Sequence, residues 1–169
     1  LASYFKAVKI RNNHPFWSDA DQRFMTEAIM LAEKAGGMRE VPVGAVITHE
    51  GRIVGRGYNQ VETLGDPTAH AEMLAITAAC ETLGTKYLTG CTLYVTLEPC
   101  PMCAGALVWS KLDRIVYAAM DLKAGACGSV VNLAHHSALN HRILVHQGLF
   151  EADCEHLLSG FFAKLRAQG

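Results

Sequence analysis

Two periods alternate along the chain from residue 19 onward. Phe24, Ala28, Leu31 and Ala35 recur at helical spacing, behind Asp19 or Asp21 as a capping acid and ahead of Gly36-Gly37 as a stop. "VGAVIT" and "RIVGRGYN" flank His49-Glu50-Gly51 and read as the two strands of a hairpin. "HAEMLAITAACETLG" reads as a helix running to Gly84, and "TLYVTL" as a strand. "PMCAGALVWS" reads as a helix whose Pro101 sits in the first turn, where the missing N–H costs nothing. "RIVYAA" and "ILVH" read as further buried strands. In the last helix Cys154, Leu157, Leu158, Phe161, Phe162 and Leu165 share one face and are expected to pack on the core. Strands alternating with helices predict an α/β fold, a three-layer α/β/α sandwich around a five-stranded sheet. The initial hairpin makes that sheet mixed.

With 169 residues and no repeat or linker, the chain fits one domain, expected over residues 19 to 169. Residues 1 to 18 carry Lys6, Lys9 and Arg11 without an acid, and are expected to be an extension or cloning remnant outside the core. A short basic arm or transit-like segment is the alternative for them. A content of 50% hydrophobic and 18% charged residues describes a globular chain and excludes a disordered one. The longest apolar runs fall far short of the ~18 residues a membrane span needs. Net charge is -1, so no global basic field marks a nucleic-acid binder. Lys111 to His146 is locally basic, with Lys111, Arg114, Lys123 and Arg142 against Asp113 and Asp121, and with His135, His136, His141 and His146 besides. That stretch is expected to meet an anion, although its histidines read individually as surface groups.

Cys100 and Cys103 stand in "TLEPCPMCAGAL", a spacing used by disulfides, redox pairs and metal sites alike. A chain this long and apolar needs no disulfide framework, and reduced thiols in a cytoplasmic protein are the expectation. Cys80, Cys91 and Cys154 read as small core residues; Cys127, in a Gly-rich loop, stays open. Thirty residues before Cys100, His70 and Glu72 open a helix directly after "DPTA". Both motifs fall at helix N-termini, which favour anions and so the thiolates. One imidazole and two thiolates are ligands zinc prefers, and three of them leave a fourth position open to water. Glu72 is then an acid beside the metal rather than on it, suited to carrying a proton between water and a substrate nitrogen.

H-x-E followed by P-C-x-x-C resembles the signature of zinc deaminases of bases and nucleosides. "EVPVGAVI", "GRGYN", "DPTAHAEM", "TLYVTLEPCPMCAGAL", "DLKAGACGS" and "LNHR" follow in order between residues 40 and 142. Together they resemble the bacterial tRNA adenosine deaminases, a family in the cytidine deaminase-like fold that forms inosine at the wobble position of a tRNA anticodon. The resemblance covers roughly residues 20 to 166. It implies zinc on His70, Cys100 and Cys103, with Glu72 as the catalytic proton carrier. It implies that Asn59 contacts the substrate nucleoside, that Asp121 lies beside the target ribose and backbone, and that Pro42 and Val43 wall the base pocket. For Asn59 and Asp121 ordinary turn chemistry is the competing reading. The resemblance also implies a tRNA anticodon stem-loop as partner and a homodimer, for which Ala104, Gly105 and Ala106 beside Trp109 suit a close helix contact. The alternatives are a deaminase of free guanine or cytosine and a non-catalytic zinc-binding RNA module.

Overall fold

A computed structural model describes residues 16 to 168. Five strands make one sheet in the order β2-β1-β3-β4-β5. β1 (Gly44–His49) and β2 (Arg52–Tyr58) form the expected hairpin, and β1 runs antiparallel to β3 (Cys91–Leu97). β3 then pairs parallel with β4 (Arg114–Ala119), and β4 parallel with β5 (Leu144–Gln147), so the sheet is mixed. α1 (Asp19–Gly37) and α5 (Glu151–Gln168) share one core with one sheet face, through Phe24, Met25, Ala28 and Cys154 against Val46, Tyr94 and Val116. α3 (Ala71–Leu83) and α4 (Pro101–Trp109) share the other, through Ala71, Ala75, Ala79 and Leu107 against Ala45, Ile47, Leu93 and Ile115. The three-layer α/β/α sandwich is therefore present. A further short helix, α2 (Val61–Leu64), lies between β2 and α3.

α3 lies unusually close to the sheet, because β2 offers it glycine. A Cβ on Gly57 would stand 2.1 Å from the Ala71 carbonyl oxygen, and one on Gly55 would stand 2.4 Å from that of Ala75. Ala71, Ala75 and Ala79, at i, i+4, i+8, are the matching small residues on the helix. A methyl at Gly57 would push the helix off the strand, an overpacking penalty of ~1–3 kcal/mol or more. It would also move the N-terminus of α3, where His70 and Glu72 sit.

Three sequence expectations need adjustment. α1 is capped by Ser18, whose hydroxyl accepts from Asp21 N while the Asp21 carboxylate accepts from Ser18 N, so Asp21 is the reciprocal partner of a capping box. Trp17 packs on the α1/α5 core and lies edge-on to the His146 ring, so ordered packing extends inside the boundary drawn at residue 18. The expected extension is otherwise outside the described residues. In α5 only Cys154 is buried; Phe162 and Leu165 are 40% and 56% exposed. The apolar stripe is real, but only Cys154 and the half-buried Leu158 pack on the core, and its C-terminal half borders a cavity instead.

Candidate active site

Two helix N-termini meet at the C-terminal edge of β3. His70 is the N-cap of α3 and Cys100 the N-cap of α4, and neither side chain bonds its own helix. N-cap side chains usually make that bond; here both are free to face each other. The backbone before His70 is fixed by Asp66, whose Oδ1 accepts from Thr68 N at 2.8 Å and from the Thr68 hydroxyl at 2.7 Å. Pro101 at the first position of α4 fixes the turn after Cys100. His70 Nδ1 lies 3.6 Å from Cys100 Sγ and 3.6 Å from Cys103 Sγ. The three donor atoms all fall within 4.8 Å of one another. Zinc–sulfur and zinc–nitrogen bonds of about 2.3 and about 2.05 Å at a tetrahedral angle set the donors about 3.6 Å apart. The trio fits zinc, and a tetrahedron leaves one position for something else.

The protonation pattern agrees with this reading. With no cation between them, the two thiols compete for one proton. The hydrogen bond from Cys103 leads in pulling Cys100 down to about 4, and the same bond leads in pushing Cys103 far up. A divalent ion takes that proton's place and lets both sulfurs be thiolates. Glu72 is 4% exposed. Burial pushes its carboxyl up to about 7, and the Cys100 charge adds to the rise; a backbone hydrogen bond and the nearby His70 only partly offset it.

These groups open into a cavity of about 810 Å³ whose lining includes His70, Glu72, Cys100, Asn59, Val43 and Asp121. Asn59 is buried and its backbone N–H donates to the Val43 carbonyl at 3.0 Å. Asp121 Oδ1 accepts from Lys123 N at 2.9 Å and Ala124 N at 3.1 Å, which is the turn chemistry its sequence allowed. Its residue nonetheless lines the cavity. Pro42 does not: it is buried near Gly36, whose added Cβ would lie 3.4 Å from it, and Val41 lines the cavity beside Val43.

Several lining residues carried no sequence signal for a site; those in α5 carried one only for an apolar face. Phe161, Phe162 and Leu165 of α5 form one wall. Glu98 is 2% exposed and accepts from the backbone N–H groups of Asp121, Cys127 and Ser129 at 3.0, 3.0 and 3.1 Å, besides the Ser129 hydroxyl. It ties the Gly-rich loop to the metal-binding segment. Glu40 and Arg39 also line the cavity, Arg39 with a left-handed backbone (φ 63°). The locally basic stretch does not make one patch on a chain. Arg114 starts β4, binds Asp21 at 2.8 Å and pairs in register with Leu144, while Lys123 follows the far end of that strand. Six strand residues separate those ends by roughly 20 Å.

A mixed five-stranded sheet with His, Cys and Cys at two helix N-termini and a buried acid beside them defines the zinc-dependent deaminase class. Residues 18–119 match the model of the cytidine and deoxycytidylate deaminase zinc-binding region. Two tRNA-specific adenosine deaminases resemble the chain over most of their length. That of Bacillus subtilis is 49% identical over 86% of this chain and 91% of its own. That of Aquifex aeolicus is 51% identical over 85% and 94%. A structure solved in a study of A-to-I editing by tRNA:A34 deaminases has a TM-score of 0.78 at 43% identity, covering 80% of this chain and 99% of that one. Guanine deaminase from Nitrosomonas europaea has a TM-score of 0.75 at 27% identity, covering 90% of both chains. The chain belongs to the cytidine and deoxycytidylate deaminase zinc-binding family and, within it, to the bacterial tRNA-specific adenosine deaminases.

Proposed function

We propose that this chain hydrolyses adenosine to inosine at the wobble position of a tRNA anticodon, with release of ammonia. The observation that carries the chemistry is a carboxylate, Glu72, buried beside three zinc-fitting donors with no cation from the described residues to pair it. His70, Cys100 and Cys103 hold the zinc, which when bound supplies Lewis-acid activation of water. Glu72 takes one proton of the attacking water and delivers it to the purine ring nitrogen next to the attacked carbon. It then takes the second from the hydroxyl newly added to that carbon and delivers it to the leaving amine, which departs as ammonia. Burial, which raises the Glu72 carboxyl above its ordinary value, favours the protonated form that the second half of each transfer needs. Asn59 meets the nucleoside, Val43 walls the base, and the free oxygen of Asp121 meets the ribose.

The substrate reading is supported by the named relatives and by a cavity large enough for a splayed-out nucleotide. Arg39 and Lys123, both exposed near the cavity, are the cations we assign to flanking phosphates. A homodimer is supported by α4, whose nine residues include no charge. Ala104 faces the core, but Gly105 has open space around it and Trp109 is 77% exposed, an apolar outer face. The likeness to guanine deaminase favours a second reading, in which the same residues act on a free purine base.

Incubation with an anticodon stem-loop and with free guanine, cytosine and adenosine separates the two. We expect inosine in the stem-loop and little turnover of the free compounds. With two to four phosphates neutralised, log affinity should fall against log salt with a slope of roughly -1.4 to -2.8. Guanine turnover without inosine in the stem-loop would reject the RNA substrate and leave the zinc chemistry standing.

A further inference from the structure

Three buried carboxylates are left unused by this chemistry: Asp21, Glu40 and Glu98. Asp21 has a cation and Glu98 holds a loop. Glu40 is fully buried with no cation on it; the one ion pair among the described residues is Arg114 with Asp21. Burial raises its pKa, but N–H donors, led by Thr63, outweigh that and hold the carboxyl below its ordinary value. Those donors are specific. Glu40 Oε1 accepts from Thr63 N at 2.6 Å, and Oε2 accepts from Glu62 N at 3.2 Å and from the Asn59 side-chain Nδ2 at 3.2 Å.

Two consequences meet in one cavity. Glu62 and Thr63 belong to the first turn of α2, whose own N-cap, Gln60, makes no side-chain cap. Glu40 supplies that cap from outside the helix, as anions do at helix N-termini. An ionised carboxylate can only accept, so the Asn59 amide must turn its NH2 group toward Glu40. A flipped amide would set two acceptor oxygens against each other in a buried place. Asn59 Oδ1 receives no hydrogen bond from any described residue, and both Asn59 and Glu40 line the cavity.

We propose that Glu40 is a positioning residue that fixes the Asn59 amide in one of its two orientations, so that a ligand in the cavity meets Oδ1 as an acceptor. The site then favours a nucleoside offering an O–H or N–H donor at that point. The proposal rests on the cavity being the nucleoside site proposed above.

The test is a cycle of Glu40→Gln, Asn59→Asp and the double variant, all zinc-loaded. It is read by the Asn59 side-chain amide signal in NMR, melting temperature, zinc content, and kcat and KM on the stem-loop. Glutamine brings a donor into the network, so Glu40→Gln should shift the Asn59 amide signal and speed its hydrogen exchange. KM should rise about tenfold, with kcat and zinc content near wild type. Asn59→Asp sets two carboxylates face to face and should lose about 100-fold or more in kcat/KM. In the double variant the introduced glutamine amide donates to one oxygen of the introduced aspartate and leaves the other oxygen as an acceptor in the cavity. It should regain at least about tenfold over Asn59→Asp and recover melting temperature. An unchanged amide signal and KM in Glu40→Gln would overturn the proposal, as would a double variant no better than Asn59→Asp. Should Asn59→Asp not fold, Glu40→Gln alone decides. If the wild-type protein leaves the stem-loop unmodified, the proposed function fails. The amide signal and the melting temperatures still report whether Glu40 holds Asn59.

Discussion

Asp21, near one end of the sheet, and Glu72, near the other, are about equally shielded from solvent, at 6% and 4% exposure, and the fold treats them in opposite ways. Asp21 Oδ1 accepts from the Tyr94 hydroxyl and from Arg114, each at 2.8 Å, and Oδ2 accepts from the Ser18 hydroxyl at 2.9 Å. Burial raises its pKa, but these donors, Arg114 foremost, outweigh that and hold it below the ordinary aspartate value. Glu72 has no such cation, and burial pushes it up to about 7. The difference is between an acid the fold has satisfied and one it has left able to exchange a proton. The first stabilises; the second is available for chemistry. Glu40 and Glu98 form a middle case, buried acceptors whose N–H donors hold backbone in place around the cavity.

The comparison breaks most visibly at the metal. Cys103→Ala removes one donor of three, and zinc affinity should fall by more than about 100-fold, with turnover lost alongside. Metal analysis after dialysis reads this directly; a variant that keeps its zinc would mean that Cys103 is not a ligand. A smaller effect is expected at Glu98→Gln, which turns one acceptor into a donor among four N–H and O–H groups. The loop from residue 121 to 131 should lose about 2–3 kcal/mol of protection, seen as faster hydrogen exchange at Cys127 and Ser129. Exchange at Tyr94 and Arg114 should not change.

The smallest effect sharpens the comparison from the far end. Asp21→Asn should cost about 2 kcal/mol in denaturant unfolding, while zinc content and kcat stay at wild-type values. The pH dependence follows by sign. The folded pKa of Asp21 lies below its ordinary value of 3.8, so its contribution is present above that pH and is lost as pH falls through the folded value. His146, which accepts from Arg114 Nε at 3.1 Å, is also depressed, by burial first and by Arg114 next. Folded His146 therefore resists protonation, and stability should begin to fall once pH drops below its ordinary 6.5. Asp21→Asn should abolish only the lower of these two acid transitions.

Long periodic segments are legible in the sequence. α1, α3, α4 and all five strands lie within a residue or two of their apolar patterns. The burial expected for the "ILVH" strand is not found: β5 is a sheet edge, none of its four residues is fully buried, and Leu144 is 57% exposed. α2 is not legible, since four residues cannot display a period and its cap comes from Glu40. The stripe on α5 misled for a physical reason: periodicity reports an apolar face but not what covers it. At the site, His70, Cys100, Cys103 and Glu72 stood out because zinc chemistry demands unusual residues at fixed spacing. Glu40 and Glu98 did not. A lone acid beside a strand reads as a solvated surface group, and only tertiary N–H donors make its burial tolerable.

The account turns on Glu72 being a proton carrier that does not bind the metal, and Glu72→Gln tests it most directly. The substitution preserves shape and removes the charge, so zinc should stay at the wild-type level and the melting temperature should not fall. On the anticodon stem-loop kcat should drop by about 10²–10⁴-fold. A Glu72→Gln protein that sheds its zinc, or that keeps its metal and still turns over at the wild-type rate, would contradict the account.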